Sequence, residues 1–271
     1  MRGGRITVSV PEDPEAAGTD SSREGRGAAK LAVCVSPPAQ RGRDAPGVMG
    51  VQADAVREAV SRAWGELRLP GVHNGRNAAV AAATACLFGA GSADVAAAAA
   101  SFPGLPQRLQ TVGHVAGVPV IDDSASTTIE STLAALRALG EGCVLICGGT
   151  SKGADPRPLV AAFTRCRAVA TIGPAGTELV RLWNGIRRNA GVSPSPAVSD
   201  VKPQVADCGT LDRAVRWALK QAPGSRALLF SPAFSSFHAY RNYAERGAHF
   251  LECVRRYIGG DGASGRHAGS A

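Results

Sequence analysis

The chain has 271 residues, 45% of them hydrophobic and 19% charged with both signs interspersed, enough for one large domain or one and a half, each with its own core. That balance excludes wholesale disorder and a disulfide-stapled miniature fold. The net charge of +8 invites nucleic acid, but the cationic residues fall singly and 5% aromatics are too few for a base-stacking platform. Phosphates and carboxylates of small molecules are therefore the expected partners, with no nucleic acid and no membrane.

Met1-Arg2-Gly3-Gly4-Arg5 leads into a polar stretch rather than the apolar centre of a signal peptide, and no apolar run is long enough to cross a bilayer. A cytoplasmic protein is expected. The seven cysteines form no CxxC pair and leave an odd number, which signals neither a zinc knuckle nor a disulfide framework.

Residues 1–63 contain no Phe, Trp or Tyr and read as an unfolded leader. Within it the spacing of Val56, Ala59, Val60 and Ala63 suits a short helix over 54–64, and residues 65–69 alternate as a strand would. After Pro70-Gly71, the alanine-rich residues 77–87 predict a helix stopped at Gly89, and Ser92 is a candidate N-cap for a second helix reaching Phe102.

Pro103-Gly104-Leu105-Pro106 breaks the pattern, which places a domain boundary within residues 102–108. Beyond it, short apolar runs at 118–121, 143–147, 168–172 and 227–230 alternate with helical stretches. Fully apolar strands separated by helices predict an α/β domain with a Rossmann-like parallel sheet covered on both faces, over 104–258. Residues 190–196 read as a loop inside that domain, and residues 259–271 as a frayed tail.

Ligands of open parallel sheets sit at the carboxyl ends of the strands, so the residues following each apolar run carry the chemistry. Four clusters stand at such ends or at the domain junction. Asn74 and Asn77, three apart, offer amides to a heterocycle edge, unless Asn74 caps the helix. Asp122-Asp123-Ser124 with Thr127 follows the first run; it suits a phosphate or an oxyanion, or Ser126 or Thr127 is an N-cap.

Gly148-Gly149-Thr150-Ser151-Lys152 permits close backbone approach beside one mobile positive charge, without the spacing of a Walker A loop. Ser231-Pro232-Ala233 through Ser236, His238 and Tyr243 sets hydroxyls among aromatics, with no nucleophile elbow around either serine of the Ser235-Ser236 pair.

Taken in order over roughly Gly65 to Val254, these clusters resemble the Mur ligases, and within them the D-glutamate-adding members. The resemblance rests on Leu69-Pro70-Gly71-Val72-His73-Asn74 with Asn77, Phe102-Pro103-Gly104-Leu105-Pro106-Gln107-Arg108, Asp123-Ser124, Gly148-Gly149 with Lys152, and Ser231-Pro232-Ala233 through Arg246-Gly247. It implies that 64–103 is the helical end of a central ATPase domain and that 104–258 is the carboxyl-terminal domain. The implied activity is ATP-dependent addition of D-glutamate to UDP-N-acetylmuramoyl-L-alanine in peptidoglycan precursor synthesis.

By the same resemblance Asn74, Asn77, Arg108 and Asp123 meet the nucleotide, while Thr127, Lys152, Ser236 and Tyr243 hold D-glutamate. ATP and Mg2+ are the implied cofactors, with no metal ligand and no catalytic residue assigned within this sequence. Ala125 stands where the family has a lysine, Gln107 where it has a histidine, Asp122 an asparagine, Thr150 an aspartate and Tyr243 a phenylalanine. The GTNGKT-type phosphate loop of the family does not occur in this sequence. The expectation is an incomplete or split ligase that is inactive alone, its loop supplied by a separate chain; the alternative is a non-catalytic binding module.

Overall fold

The computed structural model describes residues 5–9, 32–36, 53–189 and 203–260. The chain divides into two units, Met1–Pro103 and Gly104–Ala271.

In the first unit, strands β1 (Arg5–Ser9) and β2 (Ala32–Ser36) pair antiparallel, Arg5 opposite Ser36. Three helices follow: α1 (Ala53–Glu66), α2 (Val72–Leu87) and α3 (Ser92–Ser101). Val56, Ala59, Val60 and Ala63 form the buried stripe of α1, packed with Ala79, Ala82, Ala83 and Cys86 of α2 and Val95 of α3. Small side chains let the backbones approach closely. At Gly75 a Cβ would stand 2.6 Å from the Trp64 indole.

Three expectations are corrected here. The strand pair falls within the stretch read as an unfolded leader, because aliphatic β-branched strands need no aromatic residue to form, while α1 bears out the helix expected over 54–64. Residues 65–69 form no strand, since α1 runs through Glu66 and the Leu67 amide continues its ladder by donating to Ala63. Gly91, rather than Ser92, is the N-cap of α3.

The second unit is a six-stranded sheet in the order β3-β4-β8-β5-β6-β7. Its strands are β3 (Gln110–Val115), β4 (Val118–Asp122), β5 (Cys143–Gly148), β6 (Cys166–Ile172), β7 (Gln204–Gly209) and β8 (Leu228–Ala233). All neighbours are parallel except the β3–β4 hairpin. Helices α4 (Ile129–Leu139), α5 (Arg157–Ala162), α6 (Gly173–Asn189), α7 (Leu211–Gln221) and α8 (Tyr243–Gly260) cover it.

The strand period of two divides the core cleanly. Leu145, Cys147, Val169 and Leu229 pack on Ile129, Leu136, Leu159 and Leu179 of α4, α5 and α6. Val144, Ile146, Ala170 and Phe230 pack on Leu211, Val215, Phe250 and Val254 of α7 and α8, with the Phe230 and Phe250 rings stacked at 4.6 Å. The edge strands β3 and β7 are half-exposed and polar in sequence, and no apolar run announced them.

The loop read at 190–196 lies outside the described residues. Of the tail read at 259–271, Gly259 and Gly260 still belong to α8 and residues 261–271 lie outside the described residues. Among the described residues no helix is long and apolar enough to cross a membrane.

Candidate functional site

Strands β4, β8 and β5 lie side by side; β5 and β8 end together, Gly148 in register with Ala233, while β4 ends at Asp122, in register with Phe230 three residues before the end of β8. Their carboxyl ends therefore bring three loops to one edge of the sheet. Gln110 opens β3 opposite Asp122, so the residues just before it, Gln107 and Arg108, reach the same edge.

The two carboxylates after β4 have different surroundings. Asp123 is fastened: its Oδ1 accepts from the Leu109 amide (3.1 Å) and its Oδ2 from the Ser231 hydroxyl (2.8 Å). With the single Ser231 proton committed there, the Thr132 hydroxyl donates to Ser231 Oγ at 2.8 Å, tying β4, β8 and α4 together. Asp122 accepts from the Ser124 amide at 2.9 Å through Oδ1, while its buried Oδ2 has no hydrogen-bond partner. Burial pushes its carboxyl above the ordinary value, against the opposing pull of Ser124.

Helix α4 is capped by Thr128, one residue beyond the candidate Thr127 and two beyond Ser126. Thr128 Oγ1 accepts from the Ser131 amide, and Ser131 Oγ accepts in return from the Thr128 amide, a reciprocal capping box that leaves half-buried Thr127 outside it. This corrects the reading of Ser126 or Thr127 as the cap.

The loop after β5 needs its glycines for space as well as conformation. A Cβ on Gly148 would lie 2.1 Å from the Ile172 carbonyl oxygen, and one on Gly149 would lie 2.3 Å from that of Ser235. Thr150 and Ser235 exchange backbone hydrogen bonds of 2.9 and 3.2 Å, and the Ser235 hydroxyl also donates to the Thr150 carbonyl. The β5 and β8 loops are thereby stitched together. Lys152 is exposed, its ammonium 5.9 Å from the Phe237 ring centroid, while Ser236 is buried.

Arg246, on α8, is wholly buried beneath these loops. It donates to the Phe234 carbonyl at 3.0 Å and to the Ser124 carbonyl at 3.4 Å, and its guanidinium stands over the Phe230 ring. Burial lowers it to about 10, with Tyr240 and Asp122 pulling the other way. The sequence marked Arg246 as part of a motif and gave it no role; its burial is the missing signal, and a polar-headed residue on a helix gives no hint of that.

No family model matches this chain. A Myxococcus xanthus protein named UDP-N-acetylmuramoylalanine--D-glutamate ligase is 38% identical over 187 residues, covering 69% of this chain and 38% of that protein. A Gloeobacter violaceus protein of the same name is 38% identical over 191 residues, covering 69% and 40%. The chain thus spans about two fifths of the length of these relatives. Over the matched residues it belongs to the Mur ligase family. Among solved structures, UDP-N-acetylmuramate-alanine ligase MurC from Thermotoga maritima is similar with a TM-score of 0.48 at 19% identity, covering 72% of this chain and 40% of that one.

Of the residues that the Mur ligase resemblance singles out, Asp123, Lys152 and Ser236 follow β4, β5 and β8 at the shared edge, with Thr127 in the loop after β4. Exposed Arg108 precedes β3 there, and half-exposed Tyr243 opens α8. Asn74 and Asn77 belong to the first unit. Asn74 does not cap α2, a place taken by Gly71; it lies in the first turn and donates its amide back to the Pro70 carbonyl at 2.7 Å, while Asn77 is exposed. Among the described residues no three His, Cys, Asp or Glu side chains group to hold a metal ion, and both Asp123 oxygens are engaged by protein donors.

Proposed function

We propose that the second unit is the amino-acid-carrying lobe of a peptidoglycan-precursor ligase that adds D-glutamate to UDP-N-acetylmuramoyl-L-alanine. The observation that carries this reading is that Asp123, Lys152 and Ser236 follow the carboxyl ends of three adjacent strands, in a chain 38% identical to proteins of that name. In this reading ATP supplies the phosphoryl group that turns the sugar's terminal carboxylate into a leaving-group-bearing acyl centre for the amine of D-glutamate.

The residues here do the holding. Lys152 offers a mobile positive charge to a carboxylate, and the hydroxyls of Thr127, Ser236 and Tyr243 orient D-glutamate so that its amine is presented at a fixed place. Arg108 and Asp123 offer this unit's contacts to the nucleotide, and in the first unit, taken by itself, Asn74 and Asn77 carry amides suited to a heterocycle edge. The residues at this edge do not fit a magnesium site of their own, so no step is assigned to one. Turnover in this reading needs a phosphate loop from another polypeptide segment, since this sequence has none of the GTNGKT type.

Titrating the chain with D-glutamate and, separately, L-glutamate while following the amide signals of Thr127 and Ser236 tests the reading. D-glutamate is expected to shift both signals at lower concentration than its enantiomer, and Ser236→Ala to weaken the response about tenfold. Equal, featureless responses to the two enantiomers would sink it. Phosphate release from ATP with both substrates by this chain alone would contradict the need for a supplied loop.

A further inference from the structure

Arg246 is the largest wholly buried side chain in the described residues. A buried guanidinium is harder to accommodate than an apolar side chain of similar volume, which would fill the same space beside Phe230 without desolvating a charge. Stability alone therefore does not explain an arginine here. Nor does ion pairing: among the described residues it makes no salt bridge, and its side-chain hydrogen bonds go to two main-chain carbonyls.

Those carbonyls belong to two different loops. Ser124 lies two residues beyond β4, and Phe234 lies one residue beyond β8. The planar fork of a guanidinium donates from two separate nitrogens of one rigid group, whereas a lysine has a single nitrogen on a shorter stem. The backbone on either side closes tightly around the fork. A Cβ on Gly149 would come within 3.2 Å of its Nη1, and one on neighbouring Gly247 within 2.3 Å of Ser124 Oγ.

We infer that Arg246 is a positioning residue, whose guanidinium clamps the loop after β4 to the loop after β8 and so fixes the separation of Thr127 from Ser236. This rests on the reading of that edge as the amino-acid site. The clamp acts through the main chain at Ser124 and Phe234, three and two residues from the groups it places.

Backbone amide hydrogen exchange on the full chain, for wild type, Arg246→Met and Arg246→Lys, tests the inference alongside the D-glutamate titration. In Arg246→Met, exchange at residues 124–127 and 234–237 is expected to quicken together by at least about tenfold while β5 and β6 amides change less than about threefold. The melting temperature is expected to hold while the D-glutamate response weakens. Loops that exchange as in wild type overturn the clamp, and so does uniform acceleration across the sheet, which would make Arg246 a core prop only. Should Arg246→Met not fold, Arg246→Lys gives the same comparison, its single nitrogen on a shorter stem not reaching the places of both Nη1 and Nη2. Failure of both variants to fold also overturns the clamp. If wild type gives no D-glutamate response, the functional reading falls while the exchange comparison still decides the role of Arg246.

Discussion

The Ser231 hydroxyl donates to Asp123 Oδ2 at 2.8 Å, with both side chains buried and the Thr132 hydroxyl completing the chain. A hydrogen bond to a buried carboxylate is among the stronger ones, and removing the donor leaves an acceptor with no water to replace it. Ser231→Ala is therefore expected to cost about 2–3 kcal/mol, read as a lower urea midpoint at unchanged slope. A variant with wild-type stability would show that this hydrogen bond does not hold Asp123 in place.

Gly148 has φ of 124°, and a methyl group there would stand inside the van der Waals radius of the Ile172 carbonyl, a backbone atom that cannot swing aside. Gly148→Ala is expected to destabilise the chain by about 3 kcal/mol or more, combining an unfavourable dihedral with a forced separation of β5 from β6. Circular dichroism melts would check it. Gly153→Ala is the control: its φ of 86° is similarly unfavourable, yet open space surrounds it, so its loss should stay near 1–2 kcal/mol.

What the sequence made legible follows from what burial demands of it. Central strands such as β5, covered on both faces, must be apolar throughout, and Cys143-Val144-Leu145-Ile146-Cys147 announced itself on that ground. Edge strands β3 and β7 carry Gln, His and Asp because one side meets solvent, so nothing distinguished them from loops. The candidate site divides the same way. Glycines and hydroxyls at strand ends were readable in position, but the bond from Ser231 to Asp123 links residues 108 apart in sequence, and no local pattern encodes it. Capping was misread by one or two residues, since Ser126, Thr127 and Thr128 are all competent and only the helix's packing chooses.

Ala233 sits at φ +64°, in the left-handed region, at the end of β8 where its amide turns to donate to the Ser126 carbonyl at 3.0 Å. Alanine tolerates that conformation at a cost of about 1–2 kcal/mol, and a β-branched side chain tolerates it worse. Ala233→Gly is expected to match or exceed wild-type stability by up to about 1 kcal/mol, the relief being partly offset by the entropy glycine loses on folding. Ala233→Val should lose about 2 kcal/mol or more, since strain is joined by overpacking of a buried position. Thermal melts of the pair check the sign, and a stabilising valine would contradict the strain.

Asp122 makes the pH dependence testable. Its carboxyl is raised above 3.8 chiefly by burial, so the folded chain binds the proton more tightly than the unfolded chain does. Stability linked to this group is fully present below the unfolded value and is lost as pH climbs through the folded one; above that it stays lost. Asparagine keeps an oxygen to accept from the Ser124 amide while removing the charge that burial penalises. Asp122→Asn is therefore expected to be more stable than wild type at neutral pH, with the advantage shrinking as the pH is lowered towards 4. Urea midpoints of the two proteins across that range measure it. An advantage that grew on acidification would mean that the fold favours the ionised form, with hydrogen bonding from Ser124 outweighing burial.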